Sequence, residues 1–217
     1  NKTITKHELN ALVEKAYEQV DKIGAGNSPS LFKKIISSAK ALGEEKTYGK
    51  GLLLIIWFYM SHRQLNTALS YISECLVLAK KLYMDEWLPK LYNWSGLINK
   101  TKGDYSNAID FYEMEIDINT KLNSEENNFV AYSVLGNIYE HLENNKVAET
   151  YYWKAKAIAA KYPQHREVIN NYPQLNISLI SMHIENSRYD EAEKLCIETL
   201  EFITSHKATD KSNIAYT

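Results

Sequence analysis

The sequence has few of the residues that interrupt regular structure. Only 4 prolines and 8 glycines occur among 217 residues, and apolar residues recur at three- and four-residue spacing throughout. This spacing is typical of amphipathic helices rather than strands, so we predict an all-α fold. The one long apolar run, Leu52 to Met60, is too short to span a bilayer. We therefore predict no membrane segment.

Cysteine and net charge are also scarce. A net charge of −2 provides no long-range attraction for nucleic acid or an anionic membrane. Cys75 and Cys196 fall at apolar helical positions, where a free thiol usually acts as a small hydrophobic residue. The amino end carries no apolar signal core. We therefore predict a cytoplasmic protein that does not bind nucleic acid.

Sequence patterns that carry catalytic chemistry are missing. Gly43 and Gly49 enclose five residues between predicted helices, which excludes a phosphate-binding loop. The six histidines are scattered, and no His-Glu-x-x-His pattern occurs. His141 and His183 lie on predicted helices, where a surface or inter-helix histidine is the simpler interpretation. We predict that this chain is not an enzyme and holds neither a metal nor a cofactor.

The chain contains an internal repeat of about 40 residues. Four segments superimpose, and their closing alanines are spaced 40, 40 and 44 residues apart. Each segment is predicted to begin a second helix, and a first helix lies upstream of each, most clearly at Leu91–Asn99 and Ala131–Tyr139. The four segments are Arg63 to Ala68, Gly103 to Ala108, Glu143 to Ala148 and Ser187 to Ala192.

Two glycines inside the first helices need a packing explanation, because glycine costs about 1 kcal/mol relative to alanine there. We predict that antiparallel helices cross closely at Gly96 and Gly136, with Ala108 and Ala148 as the matching small residues. Flanking aromatic side chains then fill the space on either side. Each hairpin leaves an apolar face that only a neighbouring hairpin can cover, so the hairpins should stack.

The segment from Ala131 to Pro163 resembles the tetratricopeptide repeat almost position by position. The matching residues are Tyr132, Leu135, Gly136, Tyr139, Ala148, Tyr152, Ala155 and Pro163. The resemblance covers about residues 47–217 and is weaker at the ends, where Ile56 and Ile180 replace the expected glycine and His183 replaces tyrosine. It implies a right-handed superhelical solenoid of antiparallel helix hairpins. The long period is similar to that of repeats in bacterial signalling proteins.

The two ends are predicted to differ from the repeats. Residues 1–46 should form an N-terminal helical pair, as a divergent repeat or a cap. Thr5 to Glu8 matches a capping box, with Ile4 and Leu9 as a hydrophobic staple. Gly24 should end the first helix, Ser28-Pro29 should begin the second and Gly43 should end it. The repeats occupy 47–217. Because residues 213–217 align with 129–133, we predict that the sequence stops at the start of a fifth hairpin of a longer protein.

The resemblance also implies a ligand surface, because first helices line the concave groove of such stacks. Asn93 and Asn137 are the strongest candidates, since a side-chain amide can satisfy an extended peptide backbone. A solvated polar role for both remains open. Leu53 and Ser133 occupy positions where a carboxylate clamp would need Lys or Asn. The groove residues implied are Trp57, Met60, Lys90, Asn93, Leu97, Lys100, Ser133, Asn137, Glu140, His141, Ile177 and Ser181.

The function implied by the resemblance is the binding of a peptide or a protein. We expect the N-terminal regulatory or sensor region of a larger bacterial signalling protein, for example one that precedes a diguanylate cyclase domain. A peptide-pheromone receptor type of transcriptional or phosphatase regulator is one alternative. A structural scaffold that forms a homodimer is another.

Overall fold

The computed structural model describes residues 4–22 and 29–214, and all regular elements in these residues are helical. The predicted all-α class is confirmed. Short 3-10 turns at Asp85–Trp87 and Glu125–Asn127 precede the fifth and seventh helices. The α-helices of the described residues are α1 (Lys6–Lys22), α2 (Pro29–Ala41), α3 (Glu45–Ser61), α4 (Leu65–Lys81), α5 (Leu88–Thr101), α6 (Tyr105–Lys121), α7 (Asn128–His141), α8 (Asn145–Lys161), α9 (Arg166–Glu185) and α10 (Tyr189–Ile214).

The helices form two compact units, residues 1–104 and 105–217. The first unit begins with the predicted capping box: the backbone N–H of Thr5 donates to Glu8 Oε2 at 2.8 Å, and the N–H of Glu8 donates to Thr5 Oγ1 at 3.2 Å. Helix α2 begins at Pro29, as predicted. Gly24 and Ser28 lie outside the described residues. No described helix is both long and apolar enough to cross a membrane.

Within the first unit, each helix packs on the next one along the chain. An ion pair between Lys81 at the end of α4 and Glu45 at the start of α3 is consistent with an antiparallel hairpin. Gly49 and Gly51 allow close approaches that the sequence analysis did not foresee. A Cβ atom at Gly49 would lie 2.2 Å from the Trp87 ring, and one at Gly51 would lie 2.9 Å from the Ile36 side chain.

The second unit repeats this arrangement from α6 to α10, and α7 also contacts α9. Lys161 at the end of α8 pairs with Glu125 before α7, as Lys81 pairs with Glu45 two repeats earlier. One core cluster of this unit contains two fully buried aromatic side chains, Phe129 and Tyr152, packed with aliphatic residues of α8, α9 and α10. A second cluster surrounds Tyr112. Of the two cysteines, both free thiols, Cys75 is buried as expected, whereas Cys196 is exposed, so the expectation was wrong for Cys196.

The buried glycine of α7 has a specific partner. A Cβ atom at Gly136 would lie 2.4 Å from Cδ1 of Tyr152, and the nearest neighbouring atoms all belong to that ring. The missing side chain therefore makes room for Tyr152 of α8, rather than for Ala148 as the sequence analysis supposed. The helices still need the glycine for a close approach. Gly96 and Ala108 belong to different units, and their crossing stays a prediction.

Helices α2 to α7 and helix α9 each end in a residue with positive φ. The φ angles lie between 53° and 78°, and only two of these residues are glycines. In each case the N–H of the following residue donates to the carbonyl five positions before it, which is the Schellman arrangement. These residues are Gly43, Arg63, Tyr83, Gly103, Asn123, Glu143 and Ser187. Four of them also begin the superimposed segments of the sequence.

Helix α8 ends differently because proline occupies the equivalent position. Pro163 has φ fixed near −65° and no N–H group, so it can neither adopt the left-handed conformation nor make the bond. The chain instead continues through residues 162–165 before α9 begins at Arg166. Helix α9 has 20 residues where α7 has 14, and it encloses Pro173. This longer segment explains the 44-residue spacing of the last repeat.

Helix α10 extends the last hairpin beyond the length of the other second helices. It has 26 residues and includes Asn213 and Ile214, which the sequence alignment assigned to a fifth hairpin. The remaining residues of that segment, 215–217, lie outside the described part of the chain. The fifth hairpin stays a prediction.

Substitutions at the left-handed positions should change stability through the backbone alone. Gly43→Ala should lower the free energy of unfolding by about 1 kcal/mol, because alanine is strained at φ 68° although no atom lies within 4 Å of the new methyl group. Tyr83→Gly should raise it by a similar amount, since the Tyr83 side chain is 89% exposed and loses few contacts. Urea unfolding of both variants checks this. Equal midpoints for both variants and the parent would contradict it.

Gly136→Ala should destabilise the second unit by about 1–3 kcal/mol, because its methyl group would overlap the Tyr152 ring. Replacing Tyr152 by leucine removes the ring and should make the alanine far less costly. Thermal unfolding of the two single variants and the double variant measures this coupling. Additive effects would show that the ring is not what excludes a side chain at position 136.

Candidate functional site

The predicted ligand residues of the first unit lie on α3 and α5. Trp57 and Met60 are half-buried on α3. On α5, Lys90 and Leu97 are exposed, whereas Asn93 and Lys100 are half-buried. Asn93 takes part in an interaction within the chain, and its role as a ligand residue stays a prediction.

Helix α5 presents positive charge without acidic residues of its own. The Lys90 ammonium lies 5.0 Å from the centre of the Trp94 ring, a cation–π distance. Partial burial lowers the pKa of Lys100, because the charged form loses hydration. Neither lysine forms an ion pair with the described residues. This surface therefore favours groups with negative charge.

The predicted residues of the second unit lie on α7 and α9. Asn137 is exposed, and His141 is exposed beside Tyr105, with ring centroids 4.8 Å apart. Ser133 donates to the carbonyl of Phe129 at 2.8 Å, so the helix already uses its hydroxyl proton. On α9, Ser181 is exposed and Ile177 is 50% exposed. These two residues are four positions apart and share one face of the helix.

A polar cluster joins α7 to α9 around the hydroxyl of Tyr152. This hydroxyl donates to Glu140 Oε2 at 2.5 Å, and it also interacts with the side chains of Asn137 and Ser178. Burial, followed by the bond to Glu140, raises the pKa of Tyr152, so the hydroxyl remains protonated. The structure therefore brings together two predicted residues, Asn137 and Glu140, and places them near Ser178, whose neighbours in α9 are Ile177 and Ser181.

Two members of this cluster were missed by the sequence analysis. Tyr152 was assigned to the core, which is correct for its ring, but its hydroxyl reaches the polar cluster. A tyrosine at a buried position is itself a signal, because its hydroxyl needs a hydrogen-bond partner. Ser178 carries no comparable signal. The other tyrosines support the packing interpretation, since Tyr139 stacks on Tyr151 at 5.5 Å and Tyr59 on Tyr71 at 5.7 Å.

A second polar cluster lies between the last three helices. The Lys156 ammonium donates to Glu198 Oε1 at 2.6 Å, to the Tyr172 hydroxyl at 2.7 Å and to Asn176 Oδ1 at 3.4 Å. Asn176 in turn donates to Thr199 Oγ1 at 2.9 Å. The cluster connects α8, α9 and α10, and it satisfies a lysine whose side chain is only 14% exposed.

An open cleft adjoins this second cluster. It encloses about 390 Å³, and its walls come from the end of α8, from α9 and from α10. None of the residues predicted for the groove lines it. The lining residues are Ala159, Ala160, Pro163, Tyr172, Glu198, Glu201, Phe202 and Ser205. Among the described residues, no group of His, Cys, Asp and Glu side chains could hold a metal ion.

Sequence comparison finds no relative: no family model matches the chain, and no curated protein sequence matches it. Solved structures do match. BtubC from P. vanneervenii has a TM-score of 0.75 and 15% sequence identity, and the match covers 93% of this chain and 80% of BtubC. A putative kinesin light chain from Podosopora anserina with nearly identical TPR-like repeats has a TM-score of 0.69 and 15% identity, covering 94% of this chain and 100% of that one.

A third similar structure is aspartyl phosphate phosphatase F from Bacillus subtilis, with a TM-score of 0.58 and 15% identity. The match covers 90% of this chain and 49% of the phosphatase, so this chain spans about half of that protein. At these identities the similarity is one of fold. Together with the repeated hairpins and their packing, it shows that the chain has the fold of the tetratricopeptide-type repeat proteins.

Proposed function

We propose that the chain binds a peptide or a partner protein on the surface formed by α7 and α9. The cluster at the Tyr152 hydroxyl carries this proposal. Its amide, carboxylate and hydroxyl groups offer the donors and acceptors that an extended peptide backbone requires. The adjacent Ile177, 50% exposed, offers an apolar contact. Polar groups that fix orientation beside an apolar anchor are typical of binding sites.

The surface of α5 gives the first unit a different chemistry. Lys90 and Lys100 lack ion-pair partners among the described residues, and Leu97 beside them is 41% exposed. A partner segment with carboxylate groups next to an apolar side chain suits this surface. We therefore expect the α5 surface, taken by itself, to contact an acidic segment of a partner.

The proposed role in the cell is that of a regulatory or sensor region in a bacterial signalling protein. Such a region would pass the bound state to an effector domain, for example a diguanylate cyclase. The alternative is a peptide-pheromone receptor type of transcriptional or phosphatase regulator, which the fold similarity to aspartyl phosphate phosphatase F fits only weakly. Both roles rest on analogy of fold and share the same binding surface.

A display selection tests the binding surface. We would select dodecapeptides from a random phage-displayed library on the immobilised chain and measure their dissociation constants by calorimetry. Asn137→Ala should weaken the selected peptides about tenfold, because it removes the hydrogen-bonding amide at a cost of about 1.4 kcal/mol. Ser181→Trp should block them sterically. Neither variant should lower the unfolding temperature appreciably, since both residues are exposed.

Thr150→Ala is the matched control, because Thr150 is an exposed residue of the second helix α8 and bonds only to its own helix at Lys146. It should leave the peptide affinity unchanged. If the selected peptides bound the parent, Asn137→Ala and Ser181→Trp equally well, the binding surface would have to lie elsewhere than on α7 and α9. A selection that yields no peptide would argue against peptide recognition altogether.

A structural scaffold is the second candidate, and exposed apolar residues on α10 favour it. Ile197 is 51% exposed and Leu200 is 65% exposed, one turn apart on the same helix. A homodimer that covers them should appear at twice the monomer mass in light scattering, and Leu200→Glu should convert it to monomer, because a buried charge opposes association. A monomer at all concentrations would exclude this candidate.

A further inference from the structure

We propose that the cleft between α8 and α10 is a separate binding site for a long cationic side chain, lysine or arginine, of a partner protein. The cleft encloses about 390 Å³, which lies within the size range of ligand pockets. Its residues belong to α8 and α10, to the connector after α8 and, through Tyr172, to α9. It is therefore distinct from the α7/α9 surface, and the proposal does not depend on peptide binding there.

The cleft lies where the repeat is irregular, at Pro163. At the corresponding positions of α6 and α7, Asn119 donates a buried hydrogen bond of 2.9 Å to Asn128. Ala159 of α8 and Tyr172 of α9 take these two places beside the cleft, and the longer connector places Pro163 at its rim. Insertions into single repeats often form binding surfaces. Here the cleft lies beside such an insertion.

The walls of the cleft suit the stem of a long side chain. Tyr172 and Phe202 form an aromatic pair with ring centroids 4.7 Å apart. Ala159, Ala160 and Pro163 face the cleft with small apolar groups. The methylene groups of lysine or arginine bury well along such surfaces while the charged end reaches a polar rim.

The charged end would meet two carboxylates on α10. Glu198 and Glu201 are three residues apart and both line the cleft. Burial opposes the ionisation of Glu198, but hydrogen bonds from Lys156 and Tyr172 outweigh it and lower its pKa, so it stays charged. Lys156 balances that charge. Glu201 forms no ion pair with the described residues, so the cleft keeps one uncompensated negative charge.

The protein's own lysine demonstrates that these walls accept an ammonium group. Lys156 Nζ lies 2.6 Å from Glu198 Oε1 and 5.0 Å from the centre of the Tyr172 ring. It approaches from the interior side, since its side chain is only 14% exposed. A partner's cation entering from the solvent side would find the aromatic pair of Tyr172 and Phe202 and the carboxylate of Glu201, all of which line the cleft.

A titration with a minimal probe tests the site. We would add N-acetyl-arginine-N-methylamide to the ¹⁵N-labelled chain and follow the amide resonances of Ala160, Glu201 and Ser205. These resonances should shift with a saturable profile. The citrulline analogue has nearly the same shape without the charge, and it should bind about tenfold more weakly. The lysine analogue shows whether the site prefers an ammonium or a guanidinium.

Two variants and a control assign the effect to the cleft. Glu201→Gln should weaken the probe about five- to tenfold, because it removes the uncompensated charge. Ala160→Leu should fill the cleft and abolish the shifts. Glu193→Gln on α10, which does not line the cleft, should change nothing. Thermal unfolding verifies that each variant is folded. Equal binding of the citrulline analogue, or a probe affinity unchanged in Glu201→Gln, would overturn the proposal, as would an absence of shifts at saturating probe.

Discussion

The left-handed residue that follows each of the helices α2 to α7 and α9 is the constraint on which the hairpins depend. A positive φ at a single residue turns the chain back on itself and lets two backbone N–H groups close the last turn of the helix. From α2 to α7 such a residue recurs every twenty positions, so the turns between helices are evenly spaced along the chain. This even spacing is consistent with Glu45 meeting Lys81, and Glu125 meeting Lys161, at the same end of a hairpin.

Two glycines make room for large aromatic rings at places where helices pack closely. Gly136 accepts the ring of Tyr152, and Gly49 accepts that of Trp87. The two pairs differ in position: Gly136 lies in the middle of α7, whereas Gly49 lies near the start of α3. In the first repeat Ile56 occupies the usual glycine position and is itself buried.

The sequence predicted the helices, the second-helix starts and the capping box at Thr5 well, because periodicity and local hydrogen bonding depend on neighbouring residues. It could not identify the partner of Gly136, since that contact depends on which side chain of another helix points into the gap. The left-handed residues at the helix ends could not be recognised from the sequence either. Arginine, tyrosine and glutamate occupy positions where glycine would have been recognised. Pro163 was read as a closing residue, and its effect on the connector appeared only in three dimensions.

The two candidate sites differ in how far they could be predicted from the sequence. The surface of α7 and α9 could be assigned from the repeat, because repeat positions fix which residues share a face. The cleft beside Glu198 could not, because it arises where the repeat is broken. Regular positions in a repeat protein are therefore predictable, whereas an insertion has no earlier copy to be compared with.

The neighbour-by-neighbour packing of the helices also bears on how the chain folds. Within each unit every helix contacts the next one or the next but one, and each cap closes with hydrogen bonds among six consecutive residues. Few distant segments must meet before stabilising contacts form, so the entropic barrier of loop closure is small and folding should be rapid. A hairpin can form wherever the first two helices collide, and its neighbours can then grow onto it one at a time.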